Sequence, residues 1–262
     1  MNCFHTLFRH RRLIWNLTLL DFRLRYAGSR LGLVWMLLAP LLMLGAYLLL
    51  FGGILRVQPD QSSTGLEYGL LIACGLLPWI GFSEGVTRGT ASVLAQRNLI
   101  KSQVFPMELF PVSAVCAGLI GQLCGTLLLL VLLGLRGMLG PNLAVLPFLL
   151  ILQALFTVGL VWFLSCVNII YRDTSQVVVL LMVLLMFVSP IAYTQEMAPA
   201  GLKLVVELNP ISYLIEGYRN ALLYNQFPNV RGLVIFSGLT LLVLLAGYRY
   251  FMHLRRVLPD YV

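Results

Sequence analysis

The sequence predicts an all-α membrane protein, with six transmembrane helices, an amphipathic helix ahead of them and a short re-entrant helical pair before the last. Three observations predict it. Of the 262 residues 60% are hydrophobic and 11% are charged, whereas soluble domains carry about 25% charged residues. A fold of this size in water has too little interior to hide so much apolar surface. The charged residues are spaced so that long uncharged runs lie between them, and Lys and Arg are shared unevenly among the connecting segments.

The uncharged runs give the elements in order. They hold 25 residues between Arg30 and Arg56, 16 between Glu67 and Glu84, and 27 between Glu108 and Arg136. They hold 35 between Arg136 and Arg172, 22 between Asp173 and Glu196, and 17 between Arg231 and Arg249. A spanning helix needs ~20 mostly apolar residues. Each run supplies one, the second by continuing past Glu84. The expected spans are 32–55, 69–90, 109–135, 143–168, 175–195 and 231–251.

Residues 1–31 read as a cytoplasmic and interfacial segment, because Arg9, Arg11, Arg12, Arg23, Arg25 and Arg30 interrupt any compact apolar signal core. Between these arginines stand Phe4, Leu7, Phe8, Leu13, Trp15 and Leu20, the pattern of a basic amphipathic helix lying at the headgroups. The connection 196–230 carries Pro199, Pro210 and Pro228 but also apolar pieces at 202–208 and 211–223. Structureless loops of that length are uncommon, so short helices dipping into the outer leaflet are expected. Residues 252–262 form a cytoplasmic tail, and 1–262 reads as one membrane domain.

With the amino terminus inside, 13 of the 18 Lys and Arg fall on inner segments and 5 on outer ones. That bias predicts cytoplasmic termini and an even number of crossings. It also accounts for the net charge of +8 without a nucleic-acid partner. The five Cys (Cys3, Cys74, Cys116, Cys124 and Cys166) have no paired spacing, so neither a disulfide framework nor a zinc site is expected.

No catalytic set emerges. His5, His10 and His253 lie outside the spans, and no Ser, His and Asp meet at one depth. The phosphate-cradling Gly-Lys-Ser/Thr pattern does not occur either, so any use of ATP is expected on a separate chain. Glu84 is the only acid inside a predicted span, four residues before Arg88, which suits an ion pair. Two readings stand for it, a gate pair in the span or an arginine reaching the inner interface with Glu84 as partner. Gly81, Gly85 and Gly89, and Ala117, Gly121 and Gly125, recur every four residues. That spacing permits close helix approach within a subunit or between subunits.

The inner connector 94–108 is polar enough to leave the bilayer yet keeps Leu94, Leu99, Ile100, Val104 and Phe105 beside Arg97 and Lys101. A short helix of that kind, ended by Pro106, suits a cleft in a soluble partner. Tyr47, Phe51, Trp79 and Phe82 fall inside spans, where rings either line a passage or pack.

Several strings together resemble the ABC-2-type permeases of O-antigen, capsule and teichoic-acid exporters, most of all the O-antigen branch. They are Asp21-Phe22-Arg23-Leu24-Arg25-Tyr26 with Ser29-Arg30-Leu31-Gly32-Leu33-Val34-Trp35 and Pro40-Leu41, then Leu77-Pro78-Trp79. Asn98-Leu99-Ile100-Lys101, Phe105-Pro106, Pro111 and Tyr171-Arg172-Asp173 continue the series. Ser189-Pro190-Ile191, Tyr193, Asn209-Pro210 and Glu216-Gly217-Tyr218-Arg219-Asn220 close it.

The resemblance implies a transport subunit and not an enzyme, paired with a second copy of itself and with two ATPase subunits that hold ATP and Mg. It implies that the connector bearing Leu94, Arg97, Leu99, Ile100, Lys101, Phe105 and Pro106 is a coupling helix. It further implies that 8–30 is an interface helix and 196–230 a re-entrant pair at the exit. The substrate implied is an undecaprenyl-pyrophosphate-linked polysaccharide carried across the bacterial inner membrane, and the alternative is a drug or small lipid. Arg23, Arg25, Arg30 and Arg88 are then candidates for the lipid pyrophosphate, although positive-inside topology also accounts for them. Tyr47, Phe51, Trp79 and Phe82 are candidates for the channel wall between two subunits.

Overall fold

The computed structural model describes residues 9–26, 28–54, 65–97, 106–194, 197 and 200–255. Every regular element among them is helical. Helix α1 is Arg11–Tyr26, α2 is Trp35–Tyr47 continued by the wider π turn Leu48–Ile54, and α3 is Gly65–Ala95. Helix α4 is Leu109–Leu135, α5 is Leu146–Ile170 and α6 is Thr174–Val188. Two short helices follow, α7 (Ala200–Leu208) and α8 (Pro210–Leu222), and then α9 (Val230–Leu254).

Five helices are long and apolar enough to cross a bilayer: Trp35–Ile54, Glu67–Ala95, Leu109–Leu135, Pro141–Ile170 and Val230–Leu254. The fifth expected span, 175–195, is shorter than its uncharged run. Helix α6 has 15 residues, about 22 Å at ~1.5 Å per residue, against a hydrocarbon core ~30 Å thick. Its end has a local cause. Ser189 turns to extended backbone at ψ 139°, the conformation imposed on a residue before proline. The Ser189 hydroxyl also donates back to Leu185 O at 2.7 Å.

Helix α3 is the axis of the bundle. It packs on α4, α5, α8, α6 and α2, and its apolar stretch is largely interior. Helix α2 lies at the edge, with most of its apolar surface outward. The glycines of α3 allow the close approach. A Cβ on Gly118 of α4 would stand 3.1 Å from Gly85 N and 3.2 Å from Gly81 O. One on Gly85 would stand 3.1 Å from Thr157, and one on Gly89 would collide with Val161. Gly81, Gly85 and Gly89 are therefore used within one subunit, and from α4 the close contacts come from Gly118, outside the every-fourth-residue set Ala117, Gly121 and Gly125, and from Gly125, whose added Cβ would meet Leu77.

Helix α9 joins the bundle chiefly through α5. Gly159 faces backbone there, where an added Cβ would lie 2.6 Å from Leu244 Cα. Three ring pairs flank this seam, Phe156 with Phe236, Trp162 with Tyr248 and Phe163 with Tyr250, at centroid separations of 5.3, 5.4 and 4.9 Å. Helix α1 lies across α4 with Thr18 buried against Ser113 O, while Trp15 points outward and is 57% exposed.

Candidate functional site

The polar groups of this apolar bundle form four linked clusters, and their order along α3 gives the candidate site. At one end of α3, Arg88 reaches two carboxylates. Its Nε lies 3.2 Å from Glu84 Oε1, and its Nη1 lies 3.4 Å from Asp21 Oδ2 on α1. The expected i, i+4 pair is formed, and the same guanidinium clasps the amphipathic helix to the bundle. Both partners are about a third exposed on the Asp21 side, so that arm contributes no more than ~0–1 kcal/mol. With two carboxylates against it, Arg88 is a compensated cation.

The second cluster joins the far end of the connector to two more helices. Glu108 is 4% exposed, and Arg255 at the end of α9 meets its Oε1 at 3.0 Å. Trp162 of α5 donates its indole N–H to Glu108 O at 3.1 Å. Close by, Asn168 Nδ2 donates to Thr90 O at 3.2 Å and its Oδ1 accepts from Ser175 N at 3.0 Å, fastening α3, α5 and the start of α6.

The third cluster lies deep between α3, α4, α5 and α8. Gln122 Nε2 donates to Gln153 Oε1 at 3.0 Å and to the Tyr218 hydroxyl at 3.1 Å. Gln153 Nε2 donates to Gln122 Oε1 at 2.7 Å and to Pro78 O at 3.0 Å, and Tyr218 donates to Gln153 Oε1 at 3.1 Å. Burial of these groups is tolerable because each is paired. The ring fixes α8 to the spans, and that helix has a firm start. Asn209 Oδ1 caps it by accepting from Ile211 N at 3.1 Å, with Pro210 in the first turn.

The residue after Tyr218, Arg219, is 4% exposed. Its Nη2 donates to Pro190 O at 2.9 Å and Ile191 O at 3.1 Å, and its Nη1 donates to Tyr193 O at 3.3 Å. Tyr68 of α3 donates to Ala192 O at 2.9 Å. The carbonyls released where α6 ends are thus collected by α8 and α3, as buried backbone requires.

The expected site residues fall as follows. Leu94 is half-buried at the end of α3, Arg97 is exposed and Pro106 is half-buried, while Leu99, Ile100, Lys101 and Phe105 lie outside the described residues. Arg23 and Arg30 are exposed, and the side chain of Arg25 is outside the described set.

Trp79 and Phe82, each 2% exposed, sit inside the subunit, Phe82 5.8 Å from Trp79 and 6.0 Å from Phe156 of α5. Both rings are thus packed within the subunit, between α3 and α5. Tyr47 is also buried and stacks on Phe51 at 5.5 Å, with Phe51 partly open.

The glutamines were missed by sequence reasoning, although a lone Gln in each of two uncharged runs is a signal, since polar groups in spans seek partners. Glu108 and Arg219 were also missed as interior groups. The described residues hold no cluster of three or more metal-ligating side chains. These polar groups link helices to one another across the bundle.

This chain belongs to the ABC-2 type transporter family, whose pattern matches residues 12–223. It is similar to the O-antigen export system permease protein RfbA of Myxococcus xanthus, at 28% identity over 249 residues, 94% of this chain and 93% of the relative. An O-antigen export system permease protein RfbA of Klebsiella pneumoniae is 30% identical over 228 residues, 85% of each chain. The polysialic acid transport protein KpsM of Escherichia coli is 26% identical over 245 residues, 89% of this chain and 91% of that protein.

Proposed function

We propose that this chain is the membrane-spanning permease subunit of an ATP-driven exporter that carries an undecaprenyl-pyrophosphate-linked, O-antigen-like polysaccharide across the inner membrane. The observation that carries this reading is the similarity over nearly the whole chain to proteins named for O-antigen export. In this reading two copies work with two ATPase subunits that hold ATP and Mg. The chain crosses six times with both ends cytoplasmic, and α6 completes its crossing through the 189–194 turn. Helices α7 and α8 form a re-entrant pair at the outer face, and the 94–106 connector seats in the ATPase.

The physical basis is transmission. A connector pushed by the ATPase moves packed helices as rigid bodies, and both of its flanks are fastened, to α1 through Arg88 and to α5 and α9 through Glu108. The exposed Arg23 and Arg30, with Arg25, suit the lipid pyrophosphate better than Arg88, which two carboxylates already compensate.

The test is co-purification with a candidate ABC ATPase from the same host, followed by reconstitution with a radiolabelled undecaprenyl-pyrophosphate glycan. ATP-dependent movement of the glycan to the far leaflet is expected. Movement without the ATPase, or movement of a small lipid or drug but not of the glycan, would overturn the assignment.

A further inference from the structure

The ends of α6 and α8 and the loop after α8 enclose a polar crevice of about 470 Å³. Its wall carries Thr194, Glu216, Arg219, Asn220, Tyr224 and Gln226. The size lies within the ~300–1,000 Å³ of small-ligand sites. Its lining is polar, as is that of the smaller cleft between α1, α3 and α4, which carries Asp21, Arg88, Ser92, Gln96 and Ser113. The groove between α2, α3 and α4, for comparison, is lined by Leu37, Leu41, Leu44 and Leu76 and suits only an acyl chain.

We infer that this crevice is a saccharide subsite, taking a neutral sugar unit of the exported glycan as it emerges. The inference rests on the export reading for its orientation and for the class of cargo. Three features select a neutral sugar. The two charged walls, Glu216 and Arg219, balance one another one turn apart on α8. An anion is disfavoured, because both Nη atoms of Arg219 are already committed to the carbonyls of Pro190, Ile191 and Tyr193. What the wall offers is the mixture a polyol needs: amides that donate and accept, hydroxyls that do both, and a carboxylate that accepts. Tyr224 adds a ring that is 45% exposed.

The wall is also held in shape before any ligand arrives. Tyr218 is pinned by Gln122 and Gln153, and Gln226 N donates to Asn220 O at 2.9 Å, which folds the loop over the end of α8. Arg219 is 4% exposed, and its Nε has no hydrogen-bond partner among the described residues.

The test uses the permease–ATPase complex in nanodiscs and two separate readouts. Binding is measured by saturation-transfer NMR with soluble tetrasaccharides of mannose, galactose, rhamnose and N-acetylglucosamine, and with inorganic pyrophosphate as the anion probe. Export is measured in cells as surface display of the host's own glycan. The expected result is that at least one tetrasaccharide binds and that Glu216→Gln and Asn220→Ala each weaken it about tenfold, the loss of one good hydrogen bond. The exposed Lys203→Ala on α7 should leave binding unchanged.

Surface display should fall in the same two variants while ATP turnover persists. Binding of no tetrasaccharide, tighter binding of pyrophosphate, or equal binding by wild type and variants would overturn the subsite. Wild-type complex that binds a tetrasaccharide but displays no glycan would instead overturn the export reading. Where Glu216→Gln does not fold, Thr194→Ala and Asn220→Ala decide the matter.

Discussion

Adding one methyl group to Gly159 should loosen the protein, although the same change elsewhere on a helix tightens it. Gly159 lies on α5 opposite the backbone of α9. A Cβ there would sit 2.6 Å from Leu244 Cα and from Leu244 N, and 2.8 Å from Val243 C. Carbon atoms rest at ~3.5–4.0 Å, so α9 must retreat by about 1 Å, since backbone cannot rotate aside. Gly247 closes the seam from the other side against Gly159 O. Retreat also opens the three flanking ring pairs, and a gap of ~0.5–1 Å forfeits a quarter to a half of each contact's attraction.

Overpacking of this kind costs ~1–3 kcal/mol. Ala against Gly returns ~1 kcal/mol of helix propensity. The balance for Gly159→Ala is a net loss of up to about 2 kcal/mol. Gly238→Ala on α9 is the matched control, because a Cβ there meets nothing within 4 Å, and it should be neutral or stabilising by up to ~1 kcal/mol. Thermal midpoints of the detergent-purified protein, followed by size-exclusion fluorescence, read the contrast. Equal shifts in the two variants would refute the close backbone approach of α5 and α9.

Gln153→Leu should destabilise by ~1–2 kcal/mol, by stranding Gln122 and Tyr218, and should raise hydrogen exchange across 210–222. The double variant Gln122→Leu with Gln153→Leu should cost less than the sum of the single changes, because one network is lost once. Glu108→Gln should leave ATPase co-purification intact yet raise the ATP hydrolysed per glycan exported, and Arg255→Ala should do the same. If either variant keeps the wild-type ratio, that ion pair has no part in coupling. Phe105→Asp should weaken ATPase docking and block export without preventing membrane insertion, and unchanged pull-down and export would remove the connector from the coupling role.

What was legible in the sequence followed from periodicity and charge. The uncharged runs located α2, α3, α4, α5 and α9 to within a few residues, because the bilayer sets a minimum apolar length that composition reveals directly. The end of α6 was less legible. Its uncharged run continues through Ser189 and Pro190, and hydropathy does not register a backbone break. Faces were not legible at all. Trp79 and Phe82 could be placed at a depth in a span, but whether they met lipid, a passage or another helix depended on how many neighbours α3 has. The pair Glu84 and Arg88 was readable because both lie on one helix. Glu108 with Arg255, 147 residues apart, and Gln122 with Tyr218, 96 apart, required the tertiary fold.

The four polar clusters acquire a common sense under the proposed function. The connector after Arg97 and before Pro106 is flanked by two fastenings. On the α3 side Arg88 binds Glu84 and Asp21, so a displacement there carries the amphipathic helix with it. On the α4 side Glu108 binds Trp162 and Arg255, so the same displacement reaches α5 and α9. Helices α3 and α4 cannot slide independently over their middle, because Gly81, Gly85 and Gly118 bring their backbones together without side chains that could yield. They therefore deliver the motion to the glutamine pair and Tyr218, and through α8 to Arg219 and the turn it holds. A chain of packed backbone and paired polar groups transmits displacement because each link has few alternative arrangements. Replacing Gln122 and Gln153 together by Leu would keep the apolar packing while cutting the polar link to α8. If export then continued at the wild-type rate per ATP, the apolar packing of α8 on α3, α5 and α9 would have to carry the motion without the polar link.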